Sequence, residues 1–418
     1  MLFLWTLPSV GLPSVGLPST RLLRRLASSA YPVSNVVVVG AARTPVGSFN
    51  GSLKSLSAPQ LGAIAIRGAV EKAGIPIESV QEVYMGNVVG AGSGQAPARQ
   101  AALGAGCVES TEATTINKVC ASGLKAIILA TQSLQTGSRD IMVAGGMESM
   151  SNAPFYIKRG MDYGHGTVTD AIIKDGLWDV YSQVHMGVCA EGTAKEYSIS
   201  REAQDSHAIE SYRRSAAAWK QGLFKNEVVP VTIKTKKGET VVAEDEEYIK
   251  VDFSKVPKLR PVFQKDGTVT AANASTLNDG ASAVVLMTRE KAEELGAKPM
   301  AEILGYGDAA CAPHKFGTAP ALALPIALKH AGLTLDDVDL FEINEAFSVV
   351  IRANEKILNL DPAKVNIAGG GVSLGHPIGS SGSRIVVSLI HLLKPGQVGA
   401  AAICNGGGAA SSIVLRRL

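Results

Sequence analysis

The feature that most constrains this chain is that it repeats itself. Ala63-Ile64-Ala65-Ile66 through Ala73-Gly74-Ile75 to Val80 aligns without gaps to Ala321-Leu322-Ala323-Leu324 through Ala331-Gly332-Leu333 to Val338. Ser122-Gly123-Leu124-Lys125 matches Ser381-Gly382-Ser383-Arg384 in the same order along the chain. Each of these leads through an apolar helical run and a glycine, Gly137 or Gly396, into an apolar strand, Ile141 to Ala144 or Ala400 to Ile403. The separation between partners is nearly the same at both places. Alternating helix-patterned and strand-like segments predict an α/β fold, so the chain reads as one α/β unit used twice, its halves related by a pseudo-twofold axis. At 418 residues it is also too long for one ordinary core.

Between the halves, residues 153–274 have no counterpart. This stretch is richer in charge, as in Glu244-Asp245-Glu246-Glu247, and ends in the small-residue run Val269 to Ser275, against which a ligand could lie closely. An insertion of that length at one loop reads as a functional cover. The first thirty-odd residues stand apart in another way. They carry a Leu-Pro-Ser repeat, Arg21, Arg24, Arg25 and serines, and no acidic residue occurs before Glu71. That composition predicts a mitochondrial transit peptide, whereas a secretory signal would place its charges ahead of the apolar part. A net charge of +3 without an arginine-rich stripe points away from nucleic acid, and no stretch is long and charge-free enough to span a bilayer. Five cysteines, widely spaced and without a Cys-x-x-Cys pair, predict neither a disulfide framework nor a zinc site.

One of those cysteines lies where a nucleophile would. Cys120 sits in Asn117-Lys118-Val119-Cys120-Ala121-Ser122-Gly123, just ahead of an apolar helical run. Unpaired N–H groups and the positive end of a helix dipole are expected to favour its thiolate. The repeat places Gly375-His376-Pro377 near the equivalent position of the second half, so His376 is expected to face Cys120 and accept its proton. Cys404-Asn405-Gly406 ends a strand and Asn344-Glu345-Ala346-Phe347 follows another, which would gather four polar loops at one edge of the sheet. No dinucleotide or Gly-Lys-Ser/Thr phosphate loop is present with the correct flanks.

Together these four loops resemble the catalytic loops of thiolases, and Gly145-Gly146-Met147-Glu148-Ser149-Met150-Ser151 and His185-Met186-Gly187 are similar to that family as well. The resemblance covers Val36 to Leu418 and is strongest to the mitochondrial short-chain branch, which Val251 to Lys258 and the leader also fit. It implies a thiolase fold: two similar βαβαβαββ halves packed as a five-layer αβαβα sandwich. Residues 34–152 with 275–297 would form one half and 298–418 the other. Residues 153–274 would be an inserted coenzyme A-binding loop domain, and 1–33 the transit peptide.

The implied activity is that of an acetyl-CoA C-acetyltransferase, joining two acetyl-CoA into acetoacetyl-CoA and CoA and thiolysing in reverse. Its setting would be ketone-body, isoleucine and fatty-acid metabolism in the mitochondrial matrix. By resemblance Cys120 carries the acetyl group, His376 activates it and Cys404 moves the α-proton. Asn344 would hold a water, and the N–H groups of Cys120 and Gly406 would hold the oxyanion. Tyr212, Lys250, Val251, Asp252, Lys255, Ser275, His185 and Phe347 would bind CoA or substrate. A potassium ion would lie among Tyr212, Ala271, Ala272, Ala274 and Val372, and the assembly would be a homotetramer. Where many members of the branch have Phe-Pro this chain has Phe316-Gly317, which leaves 2-methylacetoacetyl-CoA as a substrate to be tested. The rivals are a broad-range 3-ketoacyl-CoA thiolase and a non-catalytic CoA- or lipid-binding relative. Loss of Cys120, His376 or Cys404 would favour the latter, and all three are present.

Overall fold

The structure is a computed structural model that describes residues 35–236 and 238–418, so the leader expected at 1–33 lies outside the described residues. The first half runs β1 (Val36–Arg43), α1 (Ala58–Ala73), β2 (Glu82–Gly86), α2 (Pro97–Ala105), β3 (Glu112–Ile116), α3 (Ser122–Gln135), β4 (Ile141–Ser149). The insertion follows, with helices α4 (Met186–Glu196) and α5 (Arg201–Gln221), and β5 (Asn278–Thr288) then completes the half. The second half runs β6 (Ala301–Ala310), α6 (Pro320–Ala331), β7 (Leu340–Ile343), α7 (Ser348–Leu358), α8 (Ser381–Leu392), β8 (Val398–Asn405), β9 (Ala409–Arg417).

The strands order as β3-β2-β4-β5-β1 in one half and β7-β8-β9-β6 in the other, with β1 and β6 adjacent. β4 pairs in parallel with β2 and antiparallel with β5, and its counterpart β8 pairs in parallel with β7 and antiparallel with β9. The second half's counterpart of β3 shrinks to a single parallel bridge, Val365 beside Phe341. Helix ends repeat too. Gly74 at φ 67° closes α1 and Gly332 at φ 69° closes α6, the left-handed geometry that glycine adopts without penalty.

Three of the cores fill the spaces between five layers, the middle one running through the central helices to both sheets. Along β1, Val37 and Val39 face a core with Leu61 and Ile66 of α1, while Val36 and Val38 face one built on Leu124, Ile127 and Ile128 of α3 and Ile385 and Leu389 of α8. Alternation with period two thus buries both faces of a strand that reads as continuously apolar. A third core joins Leu324 and Leu328 of α6 and Ile351 of α7 to Phe341 and Val414. The result is the αβαβα sandwich, with α3 and α8 as the shared middle layer.

Those two helices meet at their N-termini through the repeat-equivalent glycines. A Cβ on Gly123 would lie 2.8 Å from the Ser383 nitrogen, and one on Gly382 would lie 2.6 Å from the Leu124 nitrogen. No side chain fits at either place, and the close crossing brings the loops leading into α3 and α8 together. Among the described residues no helix is long and apolar enough to cross a membrane.

Arg43, at the end of β1, ties the insertion to the sheet. Its Nε lies 2.5 Å from Glu227 and its two terminal nitrogens lie 2.7 and 3.0 Å from the Asp245 carboxylate, with all three side chains buried. Removing the cation would strand two carboxylates out of water. Arg43→Met is therefore expected to cost about 3–5 kcal/mol in chemical denaturation, whereas a loss under about 1 kcal/mol would mean that water enters to solvate them.

Candidate active site

The polar loops expected to gather do so around one largely apolar cavity of about 370 Å3, lined in part by Cys120, His376, Gly406, His185, Ser275 and Phe347. Cys120 lies two residues before the first helical residue of α3 and has its open surface on this cavity. Val119, immediately before it, has φ +48°, a left-handed conformation that a β-branched residue avoids. Side-chain bonds hold the turn. Asn117 Oδ1 accepts from Val119 N at 3.0 Å, Ser122 Oγ accepts from Lys118 N at 2.8 Å, and Ser122 Oγ donates to the Val119 carbonyl at 2.5 Å. Local strain of this kind persists where surrounding structure over-determines it, and it aims the next side chain.

The thiol does not have the depressed pKa expected from its helix-end position. Burial pushes Cys120 up to about 11, the N–H groups of Gly406 and Cys120 only partly offset that, and the Glu148 charge adds to it. Desolvation outweighs the dipole because the cavity wall above the thiol is apolar, with Met150, Ile172, Leu177 and Phe263 among its side chains. Two N–H groups aimed at the sulfur remain, and they form a ready pocket for negative charge.

His376 is buried, and burial followed by the Arg384 charge pulls its imidazole down to about 3. Its tautomer follows from the hydrogen bonds. Ser381 Oγ donates its one proton to the Pro377 carbonyl at 3.0 Å, so the 2.5 Å contact between Ser381 Oγ and His376 Nδ1 needs the proton on Nδ1. Nε2 then carries a free lone pair, and it has no partner among the described residues. The backbone of His376 donates to Asn278 Oδ1 at 2.9 Å. Gly375 before it has φ +104°, and a Cβ there would lie 2.5 Å from the Asn278 side chain, so only glycine fits.

Cys404, near the end of β8, is buried, and burial with the nearby Cys120 charge drives its thiol far above the ordinary range. The two sulfurs are therefore close enough to feel each other's charge. Asn344 follows β7 and is fully buried, its N–H bonded to the Ala402 carbonyl at 2.9 Å. Both polar atoms of its side chain lack a partner among the described residues. A buried amide left so is a site for an ordered water. His185 caps α4 by accepting from Gly187 N at 3.1 Å and stacks on Phe263 with ring centroids 4.7 Å apart.

A second cavity of about 450 Å3 shares Val262, Phe263, Ala274 and Ser275 with the first and adds Ser48, Lys250 and Ala271. Ser275 Oγ donates to the Ala346 carbonyl at 2.9 Å. Tyr212 lies instead in a buried cluster with Val372, against which Val251 packs. Val251, Asp252 and Lys255 line neither cavity, and Asp252 and Lys255 pair with each other at the surface, 3.1 Å apart. The potassium donor set is chemically coherent. Among the described residues no hydrogen bond ends on the carbonyl oxygens of Ala271, Ala272 or Ala274, and neutral oxygens left free in this way are the kind a hard monovalent cation takes.

Two carboxylates stand in the motifs quoted from the sequence without an expected role. Glu148 accepts from Asn87 Nδ2 at 2.6 Å and from the N–H groups of Val88, Val89 and Gly379 at 3.0, 3.3 and 3.0 Å, yet burial still pushes it up to about 8. Glu345 accepts from Ser211 Oγ at 2.7 Å, Asn366 Nδ2 at 2.9 Å and Val372 N at 3.1 Å. Although burial opposes it, the facing His207 and these donors hold Glu345 at about 2. A signal for Glu148 existed in the sequence, since an acid inside the otherwise apolar and small-residue run Ile141 to Ser149 must find several donors.

Residues 36–290 match the thiolase N-terminal domain and residues 297–417 match the thiolase C-terminal domain. The chain belongs to the thiolase family. It is 61% identical to a Rattus norvegicus protein over 95% of each chain, and 58% identical to a Homo sapiens protein over 95% of this chain and 94% of that one. Both relatives carry the name mitochondrial acetyl-CoA acetyltransferase. An Ascaris suum thiolase crystallised in complex with coenzyme A superposes with a TM-score of 0.89 at 48% identity, covering 92% of this chain and all of that one.

Proposed function

We propose that this chain is a mitochondrial acetyl-CoA C-acetyltransferase that condenses two acetyl-CoA and thiolyses acetoacetyl-CoA. The observation that carries the reading is the apposition, on one cavity, of a thiol, two N–H groups bonded to it and an imidazole with its lone pair free, with a second, buried thiol outside the cavity lining but near enough to feel the charge of the first. The relatives' named activity and the neighbour's bound coenzyme A support it.

Cys120 Sγ attacks the thioester carbonyl of acetyl-CoA while its proton passes to His376 Nε2. The N–H groups of Cys120 and Gly406 hold the oxyanion, and the departing CoA sulfur takes its proton from Cys404. Cys404, now a thiolate of high basicity, removes the α-proton of the second acetyl-CoA. The protonated Nε2 of His376 and a water on Asn344 stabilise the enolate oxygen. The carbon–carbon bond then forms as the bond to Cys120 breaks, and His376 returns the proton to Cys120. One residue could not both carry the acetyl group and remove the proton. Starting from neutral groups keeps the dry site free of unpaired charge until substrate supplies the carbonyl.

In this reading residues 34–152 with 275–297 and residues 298–418 are the two halves, and 153–274 forms the CoA-holding cover. Ser275, His185, Phe347 and Lys250 line the two cavities that would take the acyl and pantetheine parts of the substrate, and Tyr212, Val251, Asp252 and Lys255 would complete the CoA site. Ala271, Ala272, Ala274, Val372 and Tyr212 would hold potassium, whose fixed positive charge would draw these oxygens together. The leader directs the chain to mitochondria, and the active form is a homotetramer.

Rates measured with purified protein across acetoacetyl, 2-methylacetoacetyl and longer 3-ketoacyl-CoA, in potassium and in sodium, test this. The highest rate is expected with acetoacetyl-CoA in potassium. Rates that rise with chain length would instead indicate a broad-range thiolase, and no turnover with any substrate would indicate a binding protein.

A chemical test needs no turnover. Cys120 and Cys311 are the cysteines with open surface, so iodoacetamide is expected to label both, with acetyl-CoA protecting Cys120 alone. Because the Cys120 thiol is raised to about 11, its labelling should accelerate about tenfold per pH unit from pH 7 to 10. Mass-spectrometric labelling that levels off below pH 8 would contradict the raised thiol.

A further inference from the structure

We propose that Lys118 is a positioning residue that sets the separation between the Cys120 and Cys404 thiols. The proposal rests on the reading of Cys120 as acyl carrier and Cys404 as acid and base. Lys118 belongs to the nucleophile loop of the first half, but its ammonium group is spent entirely on the second. It donates to Asp308 Oδ1 at 2.5 Å on β6, and to Ser411 Oγ at 2.8 Å and the Ala410 carbonyl at 3.4 Å on β9. Ala410 and Ser411 are the residues paired in register with Cys404 and Ile403 on β8. A single side chain therefore connects the loop bearing one thiol to the neighbour strand of the other.

The anchor is itself braced. Asp308 pairs with Ser411 across β6 and β9, accepts from Ser411 Oγ at 2.6 Å, and accepts from Lys125 in the first turns of α3 at 2.7 Å. Burial opposes it, yet the Lys118 and Lys125 bonds hold Asp308 at about 2, so the anion is present at every working pH. The side chains of Lys118 and Asp308 are 24% and 35% exposed, and ion pairs that open to water add little to global stability. What this one supplies is a fixed point on one flank of Val119, whose left-handed φ needs restraint on both sides. Asn117 and Ser122 restrain the turn from within the first half, and Lys118 refers it to the second half.

The test separates the two chemical steps in full-length Lys118→Met. Acetylation of Cys120 by acetyl-CoA is followed by quenched-flow mass spectrometry, and condensation by acetoacetyl-CoA formation. Acetylation asks less of that spacing, because there Cys404 only protonates a departing CoA thiolate that can also leave unassisted, so it should stay within about threefold. Condensation needs the spacing between thiols and should slow about 10- to 100-fold. Asp308→Asn should give the same split, and the double variant should be no slower than the worse single one. Ser411→Ala carries the same test should Lys118→Met fail to fold. Equal losses at both steps would overturn the proposal, as would unchanged rates with only a lower melting temperature. If the wild type failed to acetylate at Cys120, the functional reading would fall instead.

Discussion

Cys120→Ser is expected to lower turnover by at least about 10,000-fold and to leave no acetyl group on the protein after incubation with acetyl-CoA. The reason lies in how little driving force the site has to spare. His376 is held at about 3, a weak base, and the thiol it serves is raised to about 11. Transfer succeeds only because the sulfur is a strong nucleophile and the N–H groups of Cys120 and Gly406 stabilise the charge that appears on the carbonyl oxygen. A serine hydroxyl holds its proton far more tightly than a thiol, so the same imidazole cannot release it. Intact-mass measurement after acetyl-CoA treatment reads the result directly, and an acetylated Cys120→Ser protein would place the acyl carrier at another residue.

The second large effect is expected at Cys404, and it should be of a different kind. Cys404→Ser should still acquire an acetyl group on Cys120, while condensation falls about 100- to 10,000-fold, the usual range for a lost acid or base. Burial gives the Cys404 thiol its high basicity once deprotonated, and a Cys120 thiolate would add repulsion to it, which the uncharged acetyl ester on Cys120 does not. Exchange of the acetyl-CoA methyl protons with solvent deuterium should vanish in Cys404→Ser. Retained exchange would assign the base elsewhere, with His376 the remaining candidate.

The repeat in the sequence was enough to foresee two similar α/β halves and the apposition of the Cys120 and His376 loops, whereas the five-layer order followed only from the resemblance to thiolases, and the close crossing at Gly123 and Gly382 is visible only in the folded chain. The chemistry of the residues was less visible than their positions. A helix-end position alone predicts a low pKa for Cys120, but the insertion lays Ile172, Leu177 and Phe263 over the thiol, and burial made by residues distant in sequence reverses the sign. The proton placement on His376 was likewise hidden, since it depends on Ser381 choosing the Pro377 carbonyl. Val119 gave no warning of its left-handed backbone, because nothing in a β-branched residue announces it. Among the ligand residues, the small-residue run ending in Ser275 was informative as a run. The places of Asp252 and Lys255, on a charged surface segment, follow only from the folded path of the insertion.

The route of β1 through the sheet bears on how the molecule comes into being. Val36 pairs with Thr288 and Val38 with Ala301, so the first strand of the chain finds both of its neighbours only after most of the sequence exists. Contacts this remote in sequence close slowly, and until they do an apolar strand remains without partners. A chain emerging from synthesis or threading through a translocation pore would thus stay open for long enough to need chaperone cover. The loop carrying Cys120 would meet its second-half anchors only near the end of folding, so the reactive thiol is assembled last.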